Sequence, residues 1–370
     1  MAGDSIEEGV GEQPLSLGVD IGGTKVAAGA MSANAMAGGA LFGWSSAESR
    51  PDLEPAAMVV EVVRQVEQLL ESLGRSRDEV VGLGIGFPGD FDPLSGVLKT
   101  APNLPAWIGT SPRELFSTCL QRRWECEVPV AAENDACVAA LAEARLGTGR
   151  GVQRMLYITV STGVGGARYD SGAVRNIEPG LYTFPDPAQP EINLESLASG
   201  PATAAHARRE IRAYVDRHGL EQLQQLTSVF STEEGPAPAT REQLEELLAQ
   251  LTARHLGQAA SRGDTFSRGL FDRSAHILAA GLAILLDQGF GEQRIVIGGS
   301  VAAKTPGYVD QVRQELARRQ ALSGASQALR SFDPLQIVEA GLGDERGVLG
   351  AASLVADLQT PRTSSRLAGS

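Results

Sequence analysis

Residues 17–25 read Leu-Gly-Val-Asp-Ile-Gly-Gly-Thr-Lys, and this run constrains the fold more than any other stretch of the chain. An apolar segment (Leu15, Leu17, Val19) delivers Asp20 to a Gly22-Gly23 corner, and a second extended segment, Val26 to Met31, leaves it. Two short strands around a double glycine predict a β-hairpin. Glycine lets the backbone approach a bulky group, and consecutive N–H groups at such a corner can cradle an anion. Asp20 suits a hydrated Mg2+, while the Thr24 hydroxyl and the Lys25 ammonium suit phosphate oxygens. The run is not a Walker loop, which has a longer glycine spacing and opens into a helix. An ordinary tight hairpin with a chance Asp and Lys satisfies the same residues, so the run alone leaves both readings open.

Other segments set the architecture. Apolar positions at helical spacing (Met58, Val62, Val66, Leu69, Leu70, Leu73) predict a helix over 54–73, stopped near Gly74. Val80 to Phe87 predicts a strand whose alternating glycines let a neighbouring element pack close, and Pro88-Gly89-Asp90 turns the chain. A helix is expected from the Asn134-Asp135 pair to Leu146, and both residues of that pair are good caps. Further helices are expected over 201–217, 241–256, 273–288 and 306–321. A short strand over Leu335–Val338 and a closing helix over Glu345–Asp357 complete the pattern. Residues 231–239 read as a surface loop. No solenoid repeat is present. Strands, then alternating helices and strands, then a restart after about Val130 predict two α/β lobes.

Composition narrows the class. With 370 residues the chain can bury a sizeable core, and 42% hydrophobic with 21% charged residues is ordinary for a globular enzyme. A formal net charge of −13 argues against nucleic acid or an anionic membrane as partner. No apolar run reads as a membrane span and no signal-peptide pattern appears, so a cytoplasmic protein is expected. Cys119, Cys126 and Cys137 form no Cys-x-x-Cys pair, and Cys137 reads as a small buried apolar residue. Residues 1–14 and 359–370 read as disordered tails.

Six segments in order then resemble the ROK family (repressor, open reading frame, kinase), in particular its glucokinase-like sugar kinases. They are Asp20-Ile21-Gly22-Gly23-Thr24-Lys25, Pro102-Asn103-Leu104, Glu133-Asn134-Asp135-Ala136, Ser161-Thr162-Gly163-Val164-Gly165-Gly166, Leu194-Glu195-Ser196-Leu197-Ala198-Ser199-Gly200, and the strand ending Gly298-Gly299. The resemblance implies a duplicated actin-like, ribonuclease-H-like ATPase fold, with ATP and substrate in a cleft between two lobes. The expected divisions are an N-terminal lobe over 15–130, a C-terminal lobe over 131–344, and a helix over 345–358 returning to the first lobe. A homodimer is the expected assembly.

Phosphorylating a sugar hydroxyl requires a held γ-phosphate, neutralised charge and a group to take the hydroxyl proton. The resemblance assigns the proton to Asp135 as general base. It assigns sugar hydroxyls to Asn103, Asn134, Asp135, Glu178 and Glu195. Phosphates go to Gly22, Gly23, Thr24 and Lys25 with Thr162, Gly163 and Gly165. Gly298 and Gly299 would lie under the adenine ribose, and Asp20 would hold Mg2+ through water. Both Asn103, flanked by Pro102 and Pro105, and the Asn134-Asp135 pair also satisfy purely structural roles, as turn and cap residues.

One stretch departs from the family pattern. A Glu-x-Gly-His segment and a zinc-binding cysteine cluster are usual there, but Leu181 stands at the histidine position. No Cys or His occurs between 178 and 195. A tetrahedral zinc site cannot be built from those residues, so no zinc is expected. Prolines 179, 185, 187 and 190 are expected to stiffen the loop instead. Leu181 makes one edge of the sugar site more apolar, which gives weight to an amino sugar or a cyclitol over glucose. Two rivals remain within the resemblance. A sugar-responsive repressor needs an N-terminal DNA-binding domain, and nineteen residues before Asp20 are too few. A non-catalytic sugar-binding protein is opposed by Asp135 and Lys25.

Overall fold

The computed structural model describes residues 13–33, 41–183, 192–230 and 238–359. The proline-rich residues 184–190, most of the 231–239 loop and nearly all of both predicted tails lie outside them. The chain divides into two compact units, one formed by residues 1–151 with 341–370, the other by 152–340.

The first unit is built on a sheet of order β3-β2-β1-β4-β5. Its strands are β1 (Leu15–Ile21), β2 (Lys25–Ser32), β3 (Leu41–Glu48), β4 (Val80–Phe87) and β5 (Val130–Asn134). The predicted hairpin is β1–β2, antiparallel, closed by Gly22 N–H donating to Lys25 C=O at 2.8 Å. β4 and β5 join β1 in parallel. One face packs on helix Pro55–Ser72, whose Met58, Val59, Val62, Val63 and Val66 are buried. The predicted turn at Gly74 and the bounds of β4 match the observed elements.

The glycines of β4 do what their spacing suggested. Gly18 and Gly84 are paired across β1 and β4. A Cβ at Gly18 would lie 2.0 Å from Val348 O, and one at Gly84 1.7 Å from Ala351 O. Both atoms belong to helix Arg346–Gln359, which therefore rests its backbone directly on the sheet. Side chains there would separate helix and sheet, an overpacking that typically costs about 1–3 kcal/mol.

The second unit repeats the topology. Its strands are β6 (Arg154–Val160), β7 (Val164–Asp170), β8 (Ala173–Asn176), β9 (Arg294–Gly298) and β10 (Ile337–Glu339). They run in the order β10-β9-β6-β7-β8, with β6–β7–β8 antiparallel and β9 and β10 parallel to β6. A hairpin meander on one side and two parallel strands on the other thus occur in both sheets, so the predicted duplication is present.

The dividing line differs from the expected one. The first unit runs on to residue 151 rather than 130, because β5 completes the first sheet and carries helix Asp135–Arg145 with it. The helix expected over 241–256 is two helices, Arg241–Gln250 and Ala253–Ser261. Arg208 takes the carbonyls of Leu248 and Leu251 at 2.8 and 2.6 Å, satisfying the end of the first helix, and Thr252 caps the second. Among the described residues, helix Thr265–Asp287 is long and apolar enough to cross a membrane by length and composition, although no such run is expected from the sequence. It starts eight residues earlier than expected, where Asp264 caps it by accepting the Ser267 N–H, and its Leu270, Phe271, Leu278 and Leu282 lie in the core of the second unit.

Candidate functional site

In the first unit, the expected site residues gather at the carboxyl ends of the parallel strands, where open α/β sheets present their ligand-binding loops. Asp20, Gly86 and Glu133 form a row across β1, β4 and β5. Phe87, at the end of β4, stacks on buried Trp107 with ring centroids 4.7 Å apart. That contact, with buried Leu104, anchors the Pro102–Trp107 turn and leaves Asn103 exposed. The tip of the hairpin meets this turn. A Cβ on Gly23 would fall 2.5 Å from Asn103 Cβ, so only glycine permits the approach.

The Asn134-Asp135 pair divides its duties. Asn134 is the cap of helix Asp135–Arg145: its Oδ1 accepts from the Ala136 and Cys137 N–H groups at 2.9 and 3.3 Å. Its Nδ2 donates to Gly89 C=O at 2.9 Å, and the side chain is buried. Asp135 occupies the first helical position and is exposed. Asn134 is thus the buried cap, while the exposed Asp135 also takes the Ala136 N–H through Oδ1 at 2.8 Å, at a helix N-terminus where negative charge is favoured.

Asp20 is a strongly perturbed carboxyl. Burial, then repulsion from the Asp135 carboxylate, push its pKa up to about 7 against the pull of Lys25. Its oxygens lie against two glycines: a Cβ on Gly347 would be 2.1 Å from Oδ2, and one on Gly86 3.3 Å from Oδ1. Burial likewise raises the pKa of Glu133, whose Oε1 accepts the Asn134 N–H at 2.8 Å. Thr24 and Lys25 are exposed, and the Lys25 ammonium lies 4.9 Å from the Trp44 ring centroid, a cation–π contact that orients the chain.

In the second unit, the remaining candidates occupy the matching strand ends. Thr162 and Gly163 form the β6–β7 turn, closed by Ser161 N–H to Gly163 C=O at 2.9 Å, and Gly165 follows on β7. Glu195, on the short helix Leu194–Ala198, accepts the Val164 N–H at 2.9 Å. Cβ atoms on Gly163 and Gly180 would come within 2.5 and 3.2 Å of its Oε2. Glu178 adopts a left-handed backbone (φ 41°) and its Oε1 accepts from Asn176 Nδ2 at 2.6 Å. Leu181 ends the turn Pro179–Leu181 and is 63% exposed. Leu194 N–H donates to Tyr182 C=O at 3.0 Å, which brings the Glu178 and Glu195 segments side by side. Gly298 pairs with Thr159 at the end of β9. Gly299, at φ 89°, passes so close that a Cβ would be 2.4 Å from Val160 O.

The sequence reading missed Glu143. This carboxylate is fully buried on helix Asp135–Arg145 and accepts from the Thr148, Gly341 and Leu342 N–H groups and from Arg346 Nε at 2.8–3.1 Å. The available signal was an acid inside the small apolar run Ala140–Ala144.

The ROK family model matches residues 16–176 and 194–358, so the chain belongs to the ROK family. Among curated relatives, a glucokinase of Halalkalibacterium halodurans is 25% identical over 360 residues, covering 92% of this chain and 94% of that kinase. A kanosamine kinase of Amycolatopsis mediterranei is 29% identical over 351 residues, covering 94% and 99%. The structure of a ROK glucokinase from Streptomyces griseus in complex with glucose and AMPPNP superposes with a TM-score of 0.68 at 25% identity, over 92% of this chain and 98% of that one. The fold is thus the actin-like one of the ROK sugar kinases.

Proposed function

We propose that this chain transfers the γ-phosphoryl group of ATP to a primary hydroxyl of a hexose-like substrate, with Asp135 as general base. That it is a sugar kinase which uses ATP follows from its relatives. The observation that carries the assignment of the base is the placement of Asp135 at the helix start. Asn134 is the buried cap, and Asp135, which shares the Ala136 N–H, is exposed beside the Asp20 carboxyl. A carboxylate so placed can accept a hydroxyl proton as the phosphoryl group leaves ATP.

In this reading Gly22, Gly23, Thr24 and Lys25 are phosphate-binding residues of the first unit. Thr162, Gly163 and Gly165 are phosphate-binding residues of the second, and Gly298 and Gly299 take the adenosine. Asn103, Glu178 and Glu195 take sugar hydroxyls, and Asn134 contributes mainly by fixing Asp135. A half-buried carboxyl with a second carboxylate nearby suits a divalent cation, so Asp20 is the residue that would hold Mg2+ through water. When bound, the ion would neutralise charge on the phosphate oxygens.

For substrate, we favour an amino sugar or a cyclitol over glucose. Leu181 leaves an apolar edge beside Glu178 and Glu195, and a hydroxyl left unpaired there costs about 1–3 kcal/mol. The kanosamine kinase relative, named for an amino sugar, supports the same choice. The test is ATP consumption across a panel of hexoses, amino sugars and cyclitols. Glucose as the best substrate would overturn the preference. No consumption with any of them, alongside measurable sugar binding, would overturn the kinase reading in favour of a binding protein.

A further inference from the structure

We infer that Glu143 is a positioning residue for phosphoryl transfer, tying the helix that carries Asp135 to the chain segment that presses on Asp20. The inference rests on the roles proposed above for Asp20 and Asp135, and every contact it uses lies within the first unit.

Glu143 has no exposed surface, and a carboxylate so deeply placed must be compensated. Its partners come from two places. Oε2 accepts from Thr148 N–H at 3.0 Å and Thr148 Oγ1 at 3.3 Å, just beyond its own helix. Oε2 also accepts from Gly341 N–H at 3.1 Å. Oε1 accepts from Leu342 N–H at 3.0 Å and from Arg346 Nε at 2.8 Å. A second Arg346 nitrogen donates to Leu342 C=O, which folds the segment onto the same point. The carboxylate thus gathers residues 341–346 about one centre, nearly 200 positions along the chain from itself.

What this centre controls is visible at the next residue. Gly347 follows Arg346 directly and has no room for even a methyl group beside Asp20 Oδ2, at 2.1 Å. Two carboxyls that repel one another, Asp20 and Asp135, are therefore held by one network. Asp135 sits at one end of the helix that bears Glu143. Asp20 rests against the segment that Glu143 holds. A carboxylate supplies what this geometry needs, because its two oxygens accept from two segments at once. In Glu143→Gln, one oxygen becomes an NH2 group facing N–H donors, and the segment must shift. The side chain has no exposed surface to offer a ligand, so its effect is on placement, where a displacement of about 1 Å costs up to ~10²-fold in rate.

The experiment compares wild type, Glu143→Gln, Arg346→Met and the conservative Arg346→Lys, each confirmed as folded by circular dichroism below its melting temperature. With the best sugar of the panel, kcat should fall ~10- to 100-fold in Glu143→Gln and Arg346→Met, while the sugar KM stays within about threefold. Arg346→Lys should recover part of the loss. The double variant Glu143→Gln/Arg346→Met should be no worse than the poorer single one, since both break one contact. Calorimetric titration of Mg2+ with AMPPNP supplies a readout apart from turnover. Its Mg2+-dependent share of affinity should weaken in Glu143→Gln, with metal-free AMPPNP binding unchanged. Folded variants with wild-type kcat would overturn the inference, as would losses that follow the folded fraction alone. If Glu143→Gln does not fold, the two Arg346 variants decide by the same criteria. A wild-type protein inactive on every sugar would instead remove the proposed function on which the inference rests.

Discussion

The two hairpins carry the same backbone plan and opposite carboxylate chemistry. β1–β2 and β6–β7 each turn through glycine beside a parallel neighbour. Beside the first lies Asp20, on the strand itself, its pKa raised by burial and by a second carboxylate. Beside the second lies Glu195, delivered by a separate helix, exposed and hydrogen-bonded to the Val164 N–H. The sheet thus sets where an acid stands, while burial and partners set what it can do. An acid whose charge is costly favours a cation, and an exposed one anchored by a backbone N–H can accept from a ligand's hydroxyls.

The comparison predicts that changes in the first unit act on rate and those in the second on binding. The largest effect belongs to Asp135→Asn, which should lower kcat ~10²–10⁴-fold while sugar binding survives. Steady-state kinetics beside calorimetric sugar titration checks this, and near-parental turnover would remove Asp135 from the mechanism.

Next comes the pH dependence set by Asp20. Its folded pKa, about 7, lies above the value of 3.8 expected in the unfolded chain, so the folded state binds the extra proton. Stability from this group is full below the unfolded pKa and is lost as pH rises through the folded one. The gap corresponds to at most ~4 kcal/mol. Ligand-free Asp20→Asn should therefore be more stable than wild type at pH 8 and show a flatter stability profile between pH 5 and 8. Equal urea midpoints for the two proteins across that range would contradict it.

A smaller effect is expected from Gly163→Ala, whose new methyl would displace the Glu195 carboxylate from 2.5 Å away. Sugar KM should rise about tenfold, or ~1.4 kcal/mol, with kcat changed little. A fall in kcat at constant KM would reverse the assignment of roles to the two units. The smallest effect is expected to be none. Stripping with a chelator and restoring Mg2+ should leave activity unchanged, because residues 178–195 contain no Cys or His. Elemental analysis finding one tightly held zinc per chain would contradict this.

Local signals made much of this legible in the sequence. The Gly22-Gly23 corner, the glycines of β4 and the Asn134-Asp135 pair each announce their geometry through a few neighbouring residues. What escaped depends on contacts distant along the chain. β5 reads equally well as the start of a second lobe, and only its pairing with β4 assigns it to the first. The break at Leu251-Thr252 is fixed by Arg208, some forty positions away, and not by any glycine or proline. Glu143 looks like one more acid in a helix until residues 341–346 close around it. The division of Asn134 from Asp135 also needed the structure, since either residue makes a good cap.

The seat of helix Arg346–Gln359 on Gly18 and Gly84 has a consequence for synthesis. The first unit is interrupted by residues 152–340, and its last piece emerges after everything else. On the ribosome the second unit is whole once residue 340 has cleared the exit tunnel, but the first still shows a bare strip of paired glycines. The unit whose sheet is made earlier along the chain is thus the one completed later, and it needs protection from nascent-chain aggregation meanwhile. Limited proteolysis of released chains truncated after residue 340 should reveal a resistant core mapping to 152–340. Equal resistance in the N-terminal segment would show that the glycine strip can wait uncovered.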